Sequence, residues 1–348
     1  MKSIKNNSVF ICLWMLIFSQ HAFSQTYFIM VKDGAGLWSY VNLKGEVINT
    51  TKFSKCYPFS DHRAVVYEGS SLQCYIINEK GEKVESEIRN FIIDDEYYES
   101  GVAPFSGGLM AIKNKKWGYM DTTGKLIIPL KYDQVSSFDN GYAIVKSGKK
   151  YIVITKTGKE ILVTAPDVKE IKHFSGGLAP FQSAVTNQFG FIDTTGNVLI
   201  PATFKSVGYF INELAWAKTS DGKVGFINSK GEWIIAPKFD YAKDFDPESG
   251  LARIKMSGQW AYTNKSGRLL NVATDLFGDF HNGLAKGELR DKAGFFDKGG
   301  NWVITPQFEE ANSFTNGYTT VKKGGKWGVI DKEGKWIIQP TFYFVKVM

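Results

Sequence analysis

The stretch Lys116-Trp117-Gly118-Tyr119-Met120-Asp121-Thr122-Thr123-Gly124-Lys125-Leu126-Ile127-Ile128-Pro129 recurs, with drift, along most of the chain. Aligning the sequence on its last glycine places equivalent glycines 33 to 43 residues apart, at Gly45, Gly81, Gly124, Gly158, Gly196, Gly231, Gly267, Gly300 and Gly334. Self-similarity at this period is typical of repeat architectures. The sequence therefore predicts nine copies of one folding unit.

Each copy has the pattern of a small antiparallel meander. An apolar run follows a Phe-x-x-Gly step, a polar turn comes next, and the Trp-Gly segment forms a second strand. Alternating, β-branched and aromatic residues fit a half-buried pleated surface better than a helix. A third strand ends at proline in five copies, at Pro129, Pro201, Pro237, Pro306 and Pro340, and a short extended piece follows it. The predicted fold class is all-β, a tandem array of about nine three- to four-stranded antiparallel meanders.

Asp or Asn stands three residues before the aligned glycine in eight copies, and Thr155 takes that place in the ninth. This spacing favours a type I turn capped by the Asx side chain, with the glycine in the left-handed region as a G1 bulge. We expect these recurrent polar residues to shape turns and not to catalyse a reaction.

Nine meanders can close into a propeller-like toroid or progress as an open curved β-solenoid. The chain ends, at residues 342–347, in what reads as the last strand of a unit. On this pattern no spare strand is left to complete a split blade, and nine exceeds the usual four to eight blades. Closure is left open at this stage.

The repeated motif resembles that of the WG-repeat family of bacterial proteins. The Trp-Gly pair occurs as Trp117-Gly118 and Trp327-Gly328, and it has drifted in other copies, as in Phe189-Gly190 and Trp260-Ala261. The resemblance covers residues 26–348. It implies a repeat fold and no particular activity, so no catalytic residues follow from it.

The N-terminus has the pattern of a cleavable secretory signal. Two lysines precede a short apolar run, and small residues at Ala22-Phe23-Ser24 make a cleavage site. We therefore expect residues 1–24 to be a signal peptide, residues 25–348 to be the WG-repeat domain, and the mature protein to be exported: periplasmic, at the cell surface or secreted. No transmembrane segment is expected after cleavage.

Composition limits the functional classes. Removal of Lys2 and Lys5 with the leader lowers the net charge from +7 to +5, which is a statement about solubility, and we expect no nucleic acid partner. The nine copies leave no room for a separate catalytic domain. Cys56 and Cys74 could pair in an oxidising compartment or could simply be buried, and separation in sequence does not decide between these.

Three candidate surfaces stand out. Trp216 follows Ala215 on a strand whose counterparts vary, so it is a candidate exposed aromatic. The longest spacing contains Tyr97 and Tyr98 in an acidic run, where extra residues would project as a loop. Lysines recur at the turn before the Trp-Gly strand, and we single out Lys115, Lys116, Lys149, Lys150, Lys322, Lys323 and Lys326. Such lysines either attract an anionic partner or merely keep hairpin tips soluble and unpaired.

No catalytic, metal or cofactor signature is present. His62, His173 and His281 fall in three different copies, outside metal-ligand spacing, and there is no phosphate-binding glycine loop or nucleophile elbow. We expect a non-catalytic binding or scaffold protein, not an enzyme, with an unknown protein or an anionic envelope polymer as partner, and a monomer is compatible with this. The alternative is a glycan-binding, lectin-like module that uses exposed aromatic residues.

Overall fold

The computed structural model describes residues 28–70, 73–94 and 104–346. All the regular secondary structure in that part of the chain is β-strand. Nine small antiparallel sheets, the blades, follow one another as a nine-bladed β-propeller, which confirms the predicted all-β fold. Tyr97 and Tyr98 lie outside the described residues.

The blades are numbered along the chain. Blade 1 begins with β1 (Ile29–Lys32) and β2 (Trp38–Val41), and blade 2 contains β3 (Lys55–Cys56), β4 (Arg63–Tyr67), β5 (Cys74–Asn78) and β6 (Lys83–Val84). Blade 3 contains β7 (Phe105–Ser106), β8 (Leu109–Asn114), β9 (Lys116–Asp121) and β10 (Leu126–Tyr132), and blade 4 contains β11 (Gln134–Val135), β12 (Tyr142–Ser147), β13 (Lys150–Thr155) and β14 (Glu160–Leu162). Blade 5 contains β15 (Val168–Ile171), β16 (Leu178–Ser183), β17 (Phe189–Asp193) and β18 (Val198–Phe204).

Blade 6 contains β19 (Ser206–Val207), β20 (Ala215–Lys218), β21 (Val224–Ile227) and β22 (Trp233–Phe239). Blade 7 contains β23 (Tyr241–Ala242), β24 (Leu251–Met256), β25 (Gln259–Asn264) and β26 (Leu269–Leu270). Blade 8 contains β27 (Leu276–His281), β28 (Leu284–Leu289), β29 (Lys292–Phe296) and β30 (Trp302–Phe308), and blade 9 contains β31 (Glu310–Ala311), β32 (Tyr318–Lys323), β33 (Lys326–Asp331) and β34 (Trp336–Phe342).

The last strand, β35 (Phe344–Lys346), closes the ring. It does not extend blade 9 but pairs antiparallel with β1, with Val31 opposite Val345, so that blade 1 contains strands from both ends of the described chain. The inference that no strand remained to complete a split blade was therefore wrong. The residues after Phe342 were counted as part of the ninth unit, whereas Tyr343 separates β34 from a distinct strand.

The turn prediction is confirmed in every copy. In eight blades the Asx side-chain oxygen accepts the backbone N–H groups two and four residues later, as Asp121 does from Thr123 at 2.8 Å and Lys125 at 3.0 Å. Thr155 accepts from Lys159 at 3.2 Å in blade 4. The aligned glycines are left-handed in all nine turns, with φ between 76° and 87°. These side chains are therefore engaged with their own backbone.

The structure also explains the glycine of the Trp-Gly pair. Five blades have outer strands of seven residues, β10, β18, β22, β30 and β34, and each of these strands bulges against the one before it. The bulge carries an isoleucine carbonyl over the glycine, so that a side chain there would overlap backbone atoms at Gly118, Gly190, Gly225, Gly294 and Gly328. In blades 4 and 7 the outer strand is short and unbulged, and Ile152 and Ala261 occupy the place of the glycine.

The hydrophobic core lies between blades. One cluster joins Phe226 and Phe239 of blade 6 to Ile254 and Ala261 of blade 7, and the other clusters likewise combine residues of adjacent blades. Burial of apolar surface therefore stabilises each blade through its neighbours. Cys56 and Cys74 belong to these cores as buried thiols that are not joined by a disulfide.

Candidate functional site

The outer edges of the blades differ in a way that decides which aromatic residues face solvent. In the five blades with a seven-residue outer strand, its last residue is Phe or Tyr and lies opposite the first residue of the Trp-Gly pair, as Tyr132 lies opposite Trp117. In blades 4 and 7 the outer strands end at Leu162 and Leu270, before that position. Tyr151 and Trp260 are therefore not covered by an outer-strand residue on that side.

Blade 4 opens into a groove that we call the blade-4 groove. It has a volume of about 300 Å³ and is lined by Lys149, Lys150, Tyr151, Leu162, Val163, Ala165 and Val168. Leu162 is 67% exposed, which is unusual for a leucine beside a folded core. Lys149 and Lys150 are exposed and have no ion-pair or hydrogen-bond partner for their side chains among the described residues. The groove thus combines an apolar wall with two free cations.

The other lysines predicted from the sequence differ in their environment. Lys116 forms an ion pair with Asp133, and Lys322 forms one with Glu310 at 2.7 Å. Lys326 Nζ lies 3.0 Å from the centre of the Tyr343 ring. Lys115, in the left-handed turn of blade 3, and Lys323 are exposed and have no acidic partner among the described residues. Charge is therefore partly neutralised at the tips of blades 3 and 9.

Several lysines near the tips, Lys322 among them, have a structural role that the sequence analysis missed. In five blades, a lysine near the end of the strand that precedes the tip lies over the aromatic ring directly opposite on the next strand, at 5.2 Å for Lys32 and Trp38 and at 4.9 Å for Lys146 and Tyr151. Blades 3, 7 and 9 repeat this pair. Such cation–π contacts stabilise the hairpin and account for part of the lysine periodicity without a partner.

Trp216 is half-buried and not freely exposed. It packs against the core shared by blades 6 and 7. Its indole nitrogen and Asp244 Oδ1 both border Gly208, where the absence of a side chain makes room for the ring. The structure thus places Trp216 beside a carboxylate near the inner strands, whereas the predicted lysines lie at the tips.

Blades 7 and 8 place Asp279 beside Arg253 and near enough to Asp244 for the two carboxylates to interact. Arg253 Nε lies 2.8 Å from Asp279 Oδ1, at an angle that does not make a hydrogen bond, and its guanidinium also donates to the Phe277 carbonyl oxygen. Asp244 Oδ1 is buried and has no hydrogen-bond partner among the described residues. Burial raises the pKa of Asp244 to about 6, Lys243 opposes this rise, and the charge of Asp279 adds to it.

The histidines are dispersed, as their spacing indicated. His173 stacks on Tyr209 with ring centroids 4.2 Å apart, and burial lowers its pKa. His62 is exposed in a turn, and His281 is exposed at the end of β27. Within the described residues no group of three or more His, Cys, Asp or Glu side chains could hold a metal ion, and no helix that could cross a membrane occurs there.

Two exposed aromatic residues of blade 7, Trp260 and Tyr241, were not singled out from the sequence. The signal for them is an absence. In the five complete blades an isoleucine is followed four residues later by Phe or Tyr, with a proline between them, and the sequence after Gly158 and Gly267 lacks this continuation. That difference predicts which blades lack an aromatic cover for their Trp-Gly position.

One solved structure supports the fold, and two others match with lower TM-scores. A structure titled as the eukaryotic initiation factor matches with a TM-score of 0.59 at 10% identity, covering 92% of this chain and 98% of its own. BamB from Moraxella catarrhalis matches at 12% identity and a TM-score of 0.38, covering 80% of this chain and 94% of its own. Apo AztD from Citrobacter koseri matches at 11% identity and a TM-score of 0.40, covering 91% and 96%. No curated protein matches the sequence.

The repeat itself identifies the family. The sequence model described as WG containing repeat matches six segments, residues 38–70, 117–151, 189–223, 225–260, 294–327 and 327–347. Together these segments cover more than half of the chain. This protein therefore belongs to the family of WG containing repeat proteins.

Proposed function

We propose that this protein is an exported, non-catalytic binding or scaffold protein and that the blade-4 groove holds a segment of a partner protein. The observation that carries the proposal is the juxtaposition of Lys149 and Lys150 with the exposed Leu162 and the half-buried Tyr151. Apolar surface next to unpaired positive charge is typical of interaction sites. Binding there would use the ring as a rigid support.

The groove defines the chemistry of the segment that fits it. An apolar side chain would cover Leu162 and Val168, and a neighbouring Asp or Glu would meet Lys149 or Lys150. The ion pairs would increase the association rate and fix the position of the segment along the groove, while the apolar contact would supply most of the affinity. An anionic envelope polymer would use the lysines alone, so its binding would fall steeply with salt.

Capture from envelope extract tests the groove directly. We expect the wild-type protein to retain one or more specific proteins that Leu162→Asp and Lys149→Glu/Lys150→Glu both lose. Lys115→Glu/Lys116→Glu is the matched control, because it changes the equivalent tip of blade 3, where the outer strand is complete. An identical set of captured proteins for the wild type and both groove variants would exclude the groove.

Export is tested separately. We expect expression of the full-length sequence in a bacterial host to give a mature protein outside the cytoplasm whose N-terminus, determined by Edman sequencing, lies near Gln25. Retention of the intact N-terminus in the cytoplasmic fraction would contradict export while leaving the binding proposal open.

The proposed absence of catalysis is supported by how the repeated polar residues are used. The eight Asx side chains and Thr155 are occupied by hydrogen bonds within their own turns. Because each of these turns belongs to a different blade, the nine side chains are not gathered in one cleft. The glycan-binding alternative as first framed relied on Trp216, and its partial burial does not favour it.

A further inference from the structure

Blade 7 presents two aromatic side chains together on its surface. Trp260 is 37% exposed and Tyr241 is 39% exposed, and their ring centroids lie 5.7 Å apart at an interplanar angle of 83°. They are held in register by the sheet, because Tyr241 pairs with Lys255 and Lys255 pairs with Trp260. We call Tyr241 and Trp260 the blade-7 aromatic pair.

The exposure of this pair follows from the shape of the blade. The outer strand β26 pairs only with Tyr262 and Thr263 and ends at Leu270, so no strand residue stands opposite Trp260 on the outer side. The equivalent Trp327 of blade 9 is covered there by Phe342. Trp260 is therefore left open because the sequence around it lacks the aromatic outer-strand residue.

Cations surround the pair. Lys255 Nζ lies 5.5 Å and Arg253 Cζ lies 4.7 Å from the centre of the Trp260 ring, and Lys243 Nζ lies 6.0 Å from the centre of the Tyr241 ring. Arg253 is committed to Asp279 and to the Phe277 carbonyl oxygen, so it serves to hold the indole in place.

The two lysines are not used in ion pairs within the described part of the chain. Among the described residues no acidic side chain pairs with Lys243 or Lys255, since the nearby Asp240 pairs with Lys223 at 2.7 Å. The rings thus lie beside ammonium groups that contact them but are not neutralised by any carboxylate that the structure describes. A ligand that meets both must carry flat apolar surface and negative charge within a few ångströms of each other.

We propose that the blade-7 aromatic pair, with Lys243 and Lys255, is a binding site for an acidic polysaccharide whose sugar rings carry carboxylates. The axial C–H surface of a sugar packs on aromatic rings, and a uronate carboxylate accepts charge-assisted hydrogen bonds from lysine. A polymer also repeats this arrangement, so neighbouring residues can bind in turn. The site is distinct from the blade-4 groove, and the two proposals stand or fall independently.

Alginate, a polymer of uronic acids, is the probe. We expect the full-length mature protein to bind alginate at low salt and to bind neutral dextran at least about tenfold more weakly. Trp260→Ala should weaken alginate binding about tenfold or more, and Lys243→Gln/Lys255→Gln, which leaves both rings in place, should weaken it similarly and reduce its salt dependence.

The matched control is Trp233→Ala. Trp233 lies on blade 6 with the same 37% exposure and a similar edge contact with Phe204 at 5.7 Å, so its loss should leave alginate binding unchanged. Circular dichroism spectra and melting temperatures of each variant establish that the fold is retained. If Trp260→Ala does not fold, alginate binding by Lys243→Gln/Lys255→Gln tests the site.

Three results would overturn the proposal. The first is no binding of alginate at low salt, and the second is equal loss of binding in the Trp233→Ala control. The third is binding of inorganic polyphosphate that is as tight as that of alginate and insensitive to Trp260→Ala, which would show attraction of charge alone.

Discussion

Gly118 lies directly beneath the backbone of Ile128, the residue at which the outer strand of blade 3 bulges. Ile128 stands opposite Tyr119, and Tyr132 stands opposite Trp117. Residues 129–131 therefore all lie opposite one residue, Gly118. A methyl group on Gly118 would overlap the Ile128 carbonyl oxygen and lie 2.7 Å from that of Pro129. The second residue of the Trp-Gly pair is thus small because a bulged strand crosses it.

Gly118→Ala should therefore destabilise the protein although Gly118 is not in the left-handed region. We expect a loss of about 1–3 kcal/mol in the free energy of unfolding, since backbone and not a flexible side chain must move. Urea denaturation measures it. Ala261→Gly in blade 7, where no bulge crosses the position, should cost at most about 1 kcal/mol, and a loss in Gly118→Ala no greater than this would exclude the steric explanation.

The fold was largely predictable because its local rules repeat. Eight turns with Asx and a ninth with Thr155, each with glycine at the same spacing, fix nine hairpins, and the structure confirms them through Asp121 and its equivalents. Closure was not predictable in this way. The pairing of Val31 with Val345 joins strands more than 300 residues apart, and no local pattern distinguishes β35 from the end of blade 9.

The turn carboxylates give a second prediction. Asp121→Ala removes an acceptor for the amides of Thr123 and Lys125 and for the Thr123 hydroxyl, and should cost about 1–2 kcal/mol. Asp121→Asn keeps an oxygen at that place, as Asn228 and Asn264 do in other blades. In thermal unfolding, the melting temperature of Asp121→Asn should therefore be close to that of the wild type, and that of Asp121→Ala should be lower. Equal melting temperatures for the two variants would contradict a capping role.

The buried carboxylate of blade 7 gives a pH-dependent prediction. Burial raises the pKa of Asp244 to about 6, so between about pH 4 and pH 6 the folded state binds more protons at this residue than the unfolded state. The contribution of Asp244 to stability therefore falls as pH rises through that range. Asp244→Asn removes the charge and should be more stable than the wild type at pH 7.5, by on the order of 2–3 kcal/mol.

Unfolding in urea at pH 4, 5, 6 and 7.5 measures that difference. We expect the advantage of Asp244→Asn to shrink toward pH 4, where the wild-type carboxyl is protonated in the folded state and about half protonated in the unfolded state. A difference that stays constant over this range would show that the ionisation of Asp244 is not responsible.

Ring closure gives a fourth prediction. Deleting residues 344–348 removes the partner of β1 and the edge contact of Phe344 with Trp38, whose ring centroids lie 5.5 Å apart. We expect a lower melting temperature and association into larger species in size-exclusion chromatography, because β1 becomes an open edge. The control variant Lys323→Ala, at an exposed tip, should change neither the melting temperature nor the elution volume. A deletion variant that stays monomeric and melts at the wild-type temperature would show that ring closure contributes little to stability.

The candidate surfaces were harder to predict than the fold. Lys149 and Lys150 were identified from their repeated position, yet the same rule also selected Lys116 and Lys322, which the structure neutralises with Asp133 and Glu310. Exposure of an aromatic residue depends on what its neighbouring strand lacks. Trp260 differs from Trp327 through the outer strand that follows it, so the signal lies in the aromatic residue that is missing after Gly267 and not in the residues next to Trp260.

The unequal outer strands have a consequence for how such a molecule can change. An outermost strand pairs with no strand outside its own blade, so shortening it leaves the inner strands and the closed circle in place while it uncovers new side chains at the perimeter. Loss of a few residues at one position can therefore turn a covered ring into an accessible one. Different copies of the same unit can in this way acquire different ligands without a change of architecture.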